Sequence, residues 1–361
     1  MSSTPVNALV LGVGGNVSQG IQKALALSSV PTRVVAACIS ADAPGLYLAD
    51  RAYISPPAAD RDFIPWLHDV CARERIDVVL SGTEPVLEVL AQAAGLLREG
   101  TGATAVVSSP EILRIGADKL LTCRWLEAHG LPAPRCAELS DSSGVCELVA
   151  QCGFPLVAKP RFGKGSSAVM TVRDERQLGA VAATAEAIVG REVEMVVQEH
   201  LGNDVDEFTA GCFSDLDGNL RGTIVMRRKL DGGTTVSAEL GEFPEMRAAA
   251  EAIVSKLGPL GPCNVQLRMD QGRAVPFEIN PRFSGTTALR ARLGFNEVDA
   301  ALRHFVLGQP APELRGARSG LVVRYWNEVY VPAETVDELR RDGSVSVPRA
   351  GVEVERWGMP K

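Results

Sequence analysis

The chain has 361 residues, of which 46% are hydrophobic and 22% charged, and its formal net charge is −7. This composition fits a soluble globular protein with two or three packed units, and the acidic balance argues against nucleic acid as a partner. No apolar run approaches the roughly 20 residues of a membrane span, so no membrane partner is expected. The N-terminus shows neither a basic leader segment nor a cleavage signal, which makes the cytoplasm the expected compartment.

In chain order, Ala8-Leu9-Val10-Leu11 reads as a short apolar strand, Gly12-Val13-Gly14-Gly15 as a sharp turn, and Ser18 to Leu27 as a helix. Val34 to Cys38 is a second strand, and Arg61 to Glu74 a helix capped by Asp60. Val78-Val79-Leu80 is a buried strand, Pro85 to Leu97 a helix, and Ala105-Val106-Val107 a fourth strand. Such alternation predicts a parallel sheet with helices on both faces. Gly116 to His129 is helical and ends at Gly130, and Pro132 with Pro134 reads as a hinge.

From Ser140 to Leu201 the pattern is a small α/β unit. Its helix is Asp141 to Gln151, its strands Pro155 to Lys159, Ala168 to Val172 and Met195 to Gln198, and a second helix spans Asp174 to Val189. Asp206 to Arg282 is mainly β, with strands Phe208 to Phe213, Thr223 to Arg228, Asn264 to Met269 and Arg273 to Ile279, and a helix at Glu245 to Leu257. Helical pattern resumes from Thr287 to Leu307, and the tail holds strands at Leu321 to Tyr325 and Glu328 to Val331. The eight cysteines form no Cys-x-x-Cys pair and the four histidines show no ligand spacing, so buried reduced thiols are expected.

Phe277-Glu278-Ile279-Asn280-Pro281-Arg282 is the most informative stretch. Side chains two apart on a strand share a face, so Glu278 and Asn280 present a carboxylate and an amide oxygen together. Hard cations such as Mg²⁺ prefer such oxygen donors, completed by water and substrate phosphates. A hairpin through Asp270-Gln271-Gly272 places Gln266 opposite Glu278. Arg282 follows at once, and its planar fork suits a phosphate or carboxylate. Upstream, the loop Phe162-Gly163-Lys164-Gly165-Ser166-Ser167 lies between two strands, where backbone N–H groups can cradle phosphate. Lys159 leads into that loop, Arg161 adds positive charge, and Lys119 sits near a helix start. Gln198-Glu199-His200-Leu201 ends a strand and can offer adenine partners, with Glu207 a few residues on for ribose hydroxyls. Glu84 follows the strand Val78-Val79-Leu80, and ligands of open α/β sheets bind beyond strand carboxyl ends, so Glu84 is a candidate substrate residue.

This ordered set resembles the ATP-grasp superfamily, and within it the carbamoyl-phosphate-synthetase-like carboxylate–amine ligases. Asn264-Val265-Gln266 followed by Phe277-Glu278-Ile279-Asn280-Pro281-Arg282-Phe283-Ser284-Gly285 carries the likeness, which spans residues 5 to 308. The resemblance implies a fold of mixed α/β and α+β class: a pre-ATP-grasp parallel α/β domain over 1–115, then a two-part ATP-grasp fold. Its small lid subdomain would cover 116–205 and its antiparallel core sheet 206–308, leaving a C-terminal α/β extension over 309–361.

By the same resemblance, Lys119, Lys159, the loop residues Gly163, Lys164, Gly165, Ser166 and Ser167, and Glu199, His200, Leu201 and Glu207 bind ATP. Gln266, Glu278 and Asn280 hold Mg²⁺ or Mn²⁺. Arg282, Lys159 and Arg228 serve catalysis, with Arg282 also near the substrate, and Arg227 is a weaker match beside Arg228. The implied reaction activates a carboxylate as an acyl phosphate and joins it to an amine, releasing ADP and phosphate. Carboxylation or phosphorylation of a small acid is the alternative within the family. The implied partners are small-molecule carboxylates and amines, and a homodimer is common in the superfamily. Two other classes compete. One is a dinucleotide-binding oxidoreductase built on Gly12-Val13-Gly14-Gly15, though its acid would fall late, at Asp42. The other is a nucleotide-binding module without catalysis.

Overall fold

The structure, a computed structural model, describes residues 4–163, 168–181, 194–202, 207–316, 319–347 and 351–354. The N-terminal sheet holds β1 (Val6–Leu11), β2 (Thr32–Cys38), β3 (Arg51–Ile54), β4 (Val78–Ser81) and β5 (Thr104–Ala105), parallel in the order β3-β2-β1-β4-β5. Its central strands are apolar on both faces because both are covered. Ala8 and Val10 of β1 pack with Ile21, Ala24 and Leu25 of helix α1 (Asn16–Ala26). Leu9 and Leu11 point the other way, against Phe63, Leu67 and Val70 of α2 (Phe63–Glu74) and Leu90 and Leu97 of α3 (Glu84–Thr101). Burying one such side chain stabilises the fold by about 1.5–3 kcal/mol.

The helix expected over Gly116 to His129 is two helices, α4 (Pro110–Ala117) and α5 (Lys119–Ala128). The break lies at Asp118, which is extended and accepts the N–H groups of Leu120 at 3.0 Å and Leu121 at 3.1 Å. A carboxylate that caps a new helix competes with continuation of the old one. The expected Thr287 to Leu307 helix is likewise divided into Thr287–Arg292, Glu297–Ala301 and Leu302–Val306, with Gly294 in the left-handed region between the first two. The α2 cap position is Asp62, two residues beyond Asp60.

A smaller antiparallel sheet follows: β6 (Cys136–Glu138), β7 (Leu156–Pro160), β8 (Met170–Val172) and β9 (Met195–Glu199), in the order β6-β9-β7-β8. Helix α6 (Ser142–Cys152), capped by Asp141, packs on it. The core sheet holds β10 (Glu207–Ser214), β11 (Leu220–Asp231), β12 (Thr234–Leu240), β13 (Gly261–Asp270) and β14 (Arg273–Asn280). All neighbours are antiparallel, in the order β14-β13-β10-β11-β12. Cys263, Val265 and Leu267 face the helix Pro244–Leu257; of the alternate residues, Gln266 and Arg268 face the cleft beside the smaller sheet, and Asn264 accepts from Thr209 and Arg290. Strands β3, β6 and β12 lay outside the sequence reading; β3 and β6 are short, and β12 carries little apolar alternation.

The segment after residue 309 divides between two sheets. Its strand β15 (Gly320–Val323) pairs with β12 at the edge of the core sheet, and the helix Ala333–Asp342 leads to Ser344–Ser346, which pairs antiparallel with β3. Val329–Tyr330 pairs with Glu353–Val354. Among the described residues no helix is long and apolar enough to cross a membrane. All eight thiols are free; Cys38, Cys71, Cys123, Cys212 and Cys263 are buried, whereas Cys146 is exposed.

Candidate active site

Between the smaller sheet and the core sheet lies a cleft of about 240 Å³, with Lys119 and Lys159 on one wall and Glu207, Gln266 and Glu278 on the other. Lys159, on β7, is almost wholly buried, and its ammonium donates to Gln198 Oε1 at 2.7 Å. Burial pushes its pKa down. Lys119 is the first residue of α5 and donates to the carbonyl of Gly163 at 2.8 Å. Burial again lowers its pKa, with Lys159 adding to the effect and Glu278 opposing it. Among the described residues neither ammonium forms an ion pair, so this wall attracts an anion.

Arg161 does not join them. Its guanidinium donates to both Asp118 oxygens, at 2.9 and 2.7 Å, and pairs with Glu194, which neutralises it. Gly163 takes a positive φ of 98° beside the cleft, while Lys164, Gly165, Ser166 and Ser167 lie outside the described residues. At the end of β9 the Glu199 carboxylate turns away: it accepts the N–H of Arg135 at 3.0 Å and pairs with its guanidinium at 3.5 Å. Glu199, His200 and Leu201 nevertheless line the cleft.

The opposite wall is one hydrogen-bonded chain. Glu207 accepts from Arg228 at 3.0 and 2.5 Å and from Arg268 at 3.1 Å. Arg228 also reaches Gln266 Oε1 at 2.8 Å, and Gln266 donates to Glu278 Oε1 at 3.3 Å. Asn280 donates to the same Glu278 oxygen at 2.9 Å. Arg282 donates to Asn280 Oδ1 at 2.8 Å and to Glu84 at 2.6 Å. Gln266 does stand opposite Glu278 in the ladder, and Leu267 opposes Pro276, so Phe277 is the extra residue of a β-bulge. That bulge turns the Phe277 ring into the cleft, 5.8 Å from both the Lys159 ammonium and the Arg268 guanidinium. Strand alternation sends Arg227 to the other face, where it pairs with Glu239. Arg268 escaped the sequence reading, although it was findable, because it shares a face of β13 with Gln266.

No group of three His, Cys, Asp or Glu side chains that could hold a metal occurs among the described residues. One carboxylate flanked by two amides is an oxygen set that fits Mg²⁺ or Mn²⁺ held jointly with phosphates, not by a protein-only cage. Both amides now direct their NH₂ groups at Glu278, so each must rotate to offer oxygen. Behind the set, the fully buried pair Arg290–Glu297 (3.1 Å) holds the turn after Arg282 through Ser284, at 2.8 Å. Gly211 leaves room for it, since a Cβ there would stand 2.1 Å from Arg290 Nη1.

At the carboxyl end of the N-terminal sheet two turns pack closely. Gly12 sits on Thr83, and Gly82 lies against Val17 and accepts no side chain without displacing it. Gly14 and Gly15 are exposed at the turn after β1.

The family described as "ATP-grasp in the biosynthetic pathway with Ter operon" matches residues 191–329, and "PylC-like, N-terminal domain" matches residues 9–101. The carbamoyl phosphate synthase large chain of Deinococcus radiodurans is 28% identical over 195 residues, 51% of this chain and 19% of that one. The arginine-specific large chain of Eremothecium gossypii is 26% identical over 337 residues, 85% of this chain and 29% of that one. The chain thus spans less than a third of the length of these relatives. Among solved structures, N5-carboxyaminoimidazole synthetase from Staphylococcus aureus complexed with ADP superposes with a TM-score of 0.70 at 16% identity, covering 95% of this chain and 87% of that one. The biotin carboxylase domain dimer of Hydrogenobacter thermophilus 2-oxoglutarate carboxylase, in complex with MgADP, ADP and bicarbonate, gives 0.67 at 15%, covering 91% and 79%. L-amino acid ligase from Bacillus licheniformis gives 0.67 at 18%, covering 94% and 86%. At these identities the likeness to the solved structures establishes the fold.

Proposed function

We propose that this chain, which belongs to the ATP-grasp superfamily, is an ATP- and Mg²⁺-dependent ligase that activates a carboxylate as an acyl phosphate and joins it to an amine. The observation that carries the reading is the pairing of walls: Lys119 and Lys159, two ammoniums without an ion pair among the described residues, face Gln266 and Glu278 across one cleft, and Asn280 is hydrogen-bonded to Glu278 behind them. The backbone at Glu199 to Leu201 takes the adenine and Glu207 the ribose. The loop residues Gly163 to Ser167, with Lys119 and Lys159, take the phosphates. ADP in the Staphylococcus synthetase and MgADP in the Hydrogenobacter domain support this placement.

A carboxylate is a poor electrophile, because its charge repels a nucleophile and oxide is a bad leaving group. In the proposed reaction a carboxylate oxygen attacks the γ-phosphorus of ATP and the bond to ADP breaks. The amine then attacks the acyl carbon, phosphate leaves with the C–O bonding pair, and the amine gives up a proton. Bound divalent cation at Gln266, Glu278 and Asn280 would supply charge stabilisation for phosphoryl transfer. Arg282, Lys159 and Arg228 hold charge near the reacting phosphate, and Glu84 orients Arg282 toward the substrate. A homodimer, the state named for the Hydrogenobacter domain, belongs to the same proposal.

A panel of acids and amines, screened for ADP release with MgATP, tests the reading. With ¹⁸O in the acid, one label must appear in orthophosphate. AMP and pyrophosphate without that label would sink it. The synthetase and biotin carboxylase neighbours favour a second reading, carboxylation or phosphorylation of a small acid. ADP release that requires bicarbonate, or that proceeds with the acid alone and no amine, would select it.

A further inference from the structure

The segment after residue 309 brings one more cation to the turn that follows Arg282. Strand β15 pairs with β12 from Leu240 opposite Gly320 to Ser237 opposite Val323, and the N–H of Arg324 extends the ladder to Val236 O at 2.8 Å. Alternation leaves Leu321, Val323 and Tyr325 outward, 67, 63 and 68% exposed. Val322 points inward against the cluster of Met226, Ala238 and Leu293, and Arg324 shares that inner face. Its guanidinium donates to the carbonyl of Gly285, in the turn that follows Arg282. Arg282 donates to the carbonyl of Phe283 in the same turn, at 3.0 Å. Two arginines from distant parts of the chain thus hold two carbonyls of one turn.

Their charge balance differs. Arg282 is matched by Glu84 at 2.6 Å. Arg324 is part-buried and forms no ion pair among the described residues, and burial pushes its pKa down with no carboxylate acting against it. A guanidinium in a protein stays charged, with five N–H donors in a planar fork. The Gly285 carbonyl, a neutral acceptor, uses part of that fork and supplies no counter-charge. A cation withdrawn from water in this way is stabilised by an incoming anion.

We propose that Arg324 receives the carboxylate of the acid substrate beside the turn that follows Arg282, so that the C-terminal segment completes the substrate site. The proposal rests on the ligase reading above. A carboxylate seated in the free part of the fork is held bidentately and kept beside the turn that positions Arg282. It also gives a role to the charged residue that directly follows the edge strand on its inner face.

The test uses the full chain, with malonate as the probe and saturating MgADP present to fill the Lys119–Lys159 wall. Melting temperature is followed against malonate concentration, with chloride at matched ionic strength as the control. Wild type should show a saturable rise. Arg324→Met should weaken the malonate effect at least about tenfold, and Arg324→Lys, which keeps the charge without the fork, should fall between. All three should bind MgADP with affinities within about twofold of one another, a balance that loss of a merely structural contact does not predict. A wild type without a saturable malonate effect, or an Arg324→Met protein that responds like wild type, overturns the proposal. If Arg324→Met does not fold, Arg324→Lys decides by the same comparison. Failure of wild type to bind MgADP by calorimetry would instead count against the ligase reading, and malonate titration without nucleotide would still judge Arg324.

Discussion

The guanidinium of Arg282 lies 2.6 Å from the carboxylate of Glu84, a residue 198 positions earlier in the chain. One partner follows strand β14 of the core sheet by two residues; the other opens helix α3 of the N-terminal domain. The contact therefore couples the element that carries the Glu278 set to the carboxyl ends of the parallel strands. Glu84 is also favoured by the dipole of its own helix, so it is held in place twice.

Glu84→Ala should raise KM for the acid or the amine roughly tenfold, because Arg282 loses the partner that aims it. MgADP affinity should stay within about twofold, since the nucleotide residues lie elsewhere in the cleft. Steady-state kinetics beside calorimetry measures both. A lower melting temperature with unchanged KM would reduce Glu84 to a helix-start acid.

Glu278→Gln should fold like wild type by circular dichroism and lose about 100-fold or more in kcat, since charge stabilisation by a bound cation is worth several kcal/mol of barrier. The carboxamide keeps the volume and the hydrogen bonds to Gln266 and Asn280 within reach, so stability should hardly change. Activity within about threefold of wild type would refute the assignment of Glu278.

Lys159→Met should weaken MgATP at least about tenfold, by removing the buried ammonium that faces the phosphates. The pH dependence has a definite sign. Burial sets the folded pKa of Lys159 below its unfolded value of about 10.4, so between the two the unfolded chain binds more protons. This lysine's contribution to stability therefore rises with pH across that window, while phosphate binding weakens as the ammonium deprotonates. Denaturant titrations at several pH values should show a shallower rise for Lys159→Met.

Asp118→Asn should destabilise the chain at neutral pH by about 1–2 kcal/mol, through loss of the charged α5 cap and of the Arg161 pair. Burial pushes the Asp118 carboxyl up, but the hydrogen bond from Arg161 and the N–H groups of Leu121 and Leu120 outweigh it, so its pKa lies below the usual carboxylate range. A depressed carboxylate stabilises above its unfolded pKa, and that stability is lost as pH falls through the folded value. The gap between wild type and variant should therefore close in acid, which chemical denaturation from pH 7 downward would reveal.

Much of the fold was legible without coordinates, because its signals are local. The alternation of apolar strands with capped helices announces the parallel sheet, and Asp270-Gln271-Gly272 closes the β13–β14 hairpin within a few residues. Period-two geometry then puts Glu278 and Asn280 on one face with Gln266 opposite. The breaks at Asp118 and Gly294 were not legible: a cap inside a continuous helical pattern competes with propagation, and neighbouring packing decides between them.

What the sequence determined by itself was the supply of chemistry: which strands carry a carboxylate, an amide or a cation, and which of them share a face. Tertiary structure alone decided which charges are engaged. Arg161 is neutralised by Asp118 and Glu194, Glu199 turns to Arg135, and Arg228 bridges Glu207 and Gln266, whereas Lys119 and Lys159 face the cleft without an ion pair among the described residues. Arg324 reaches the turn after Arg282 only because β15 joins the core sheet beside β12. The reason is physical: side-chain direction follows from the local backbone, but the state of a charge depends on partners and burial contributed by residues far away in the chain.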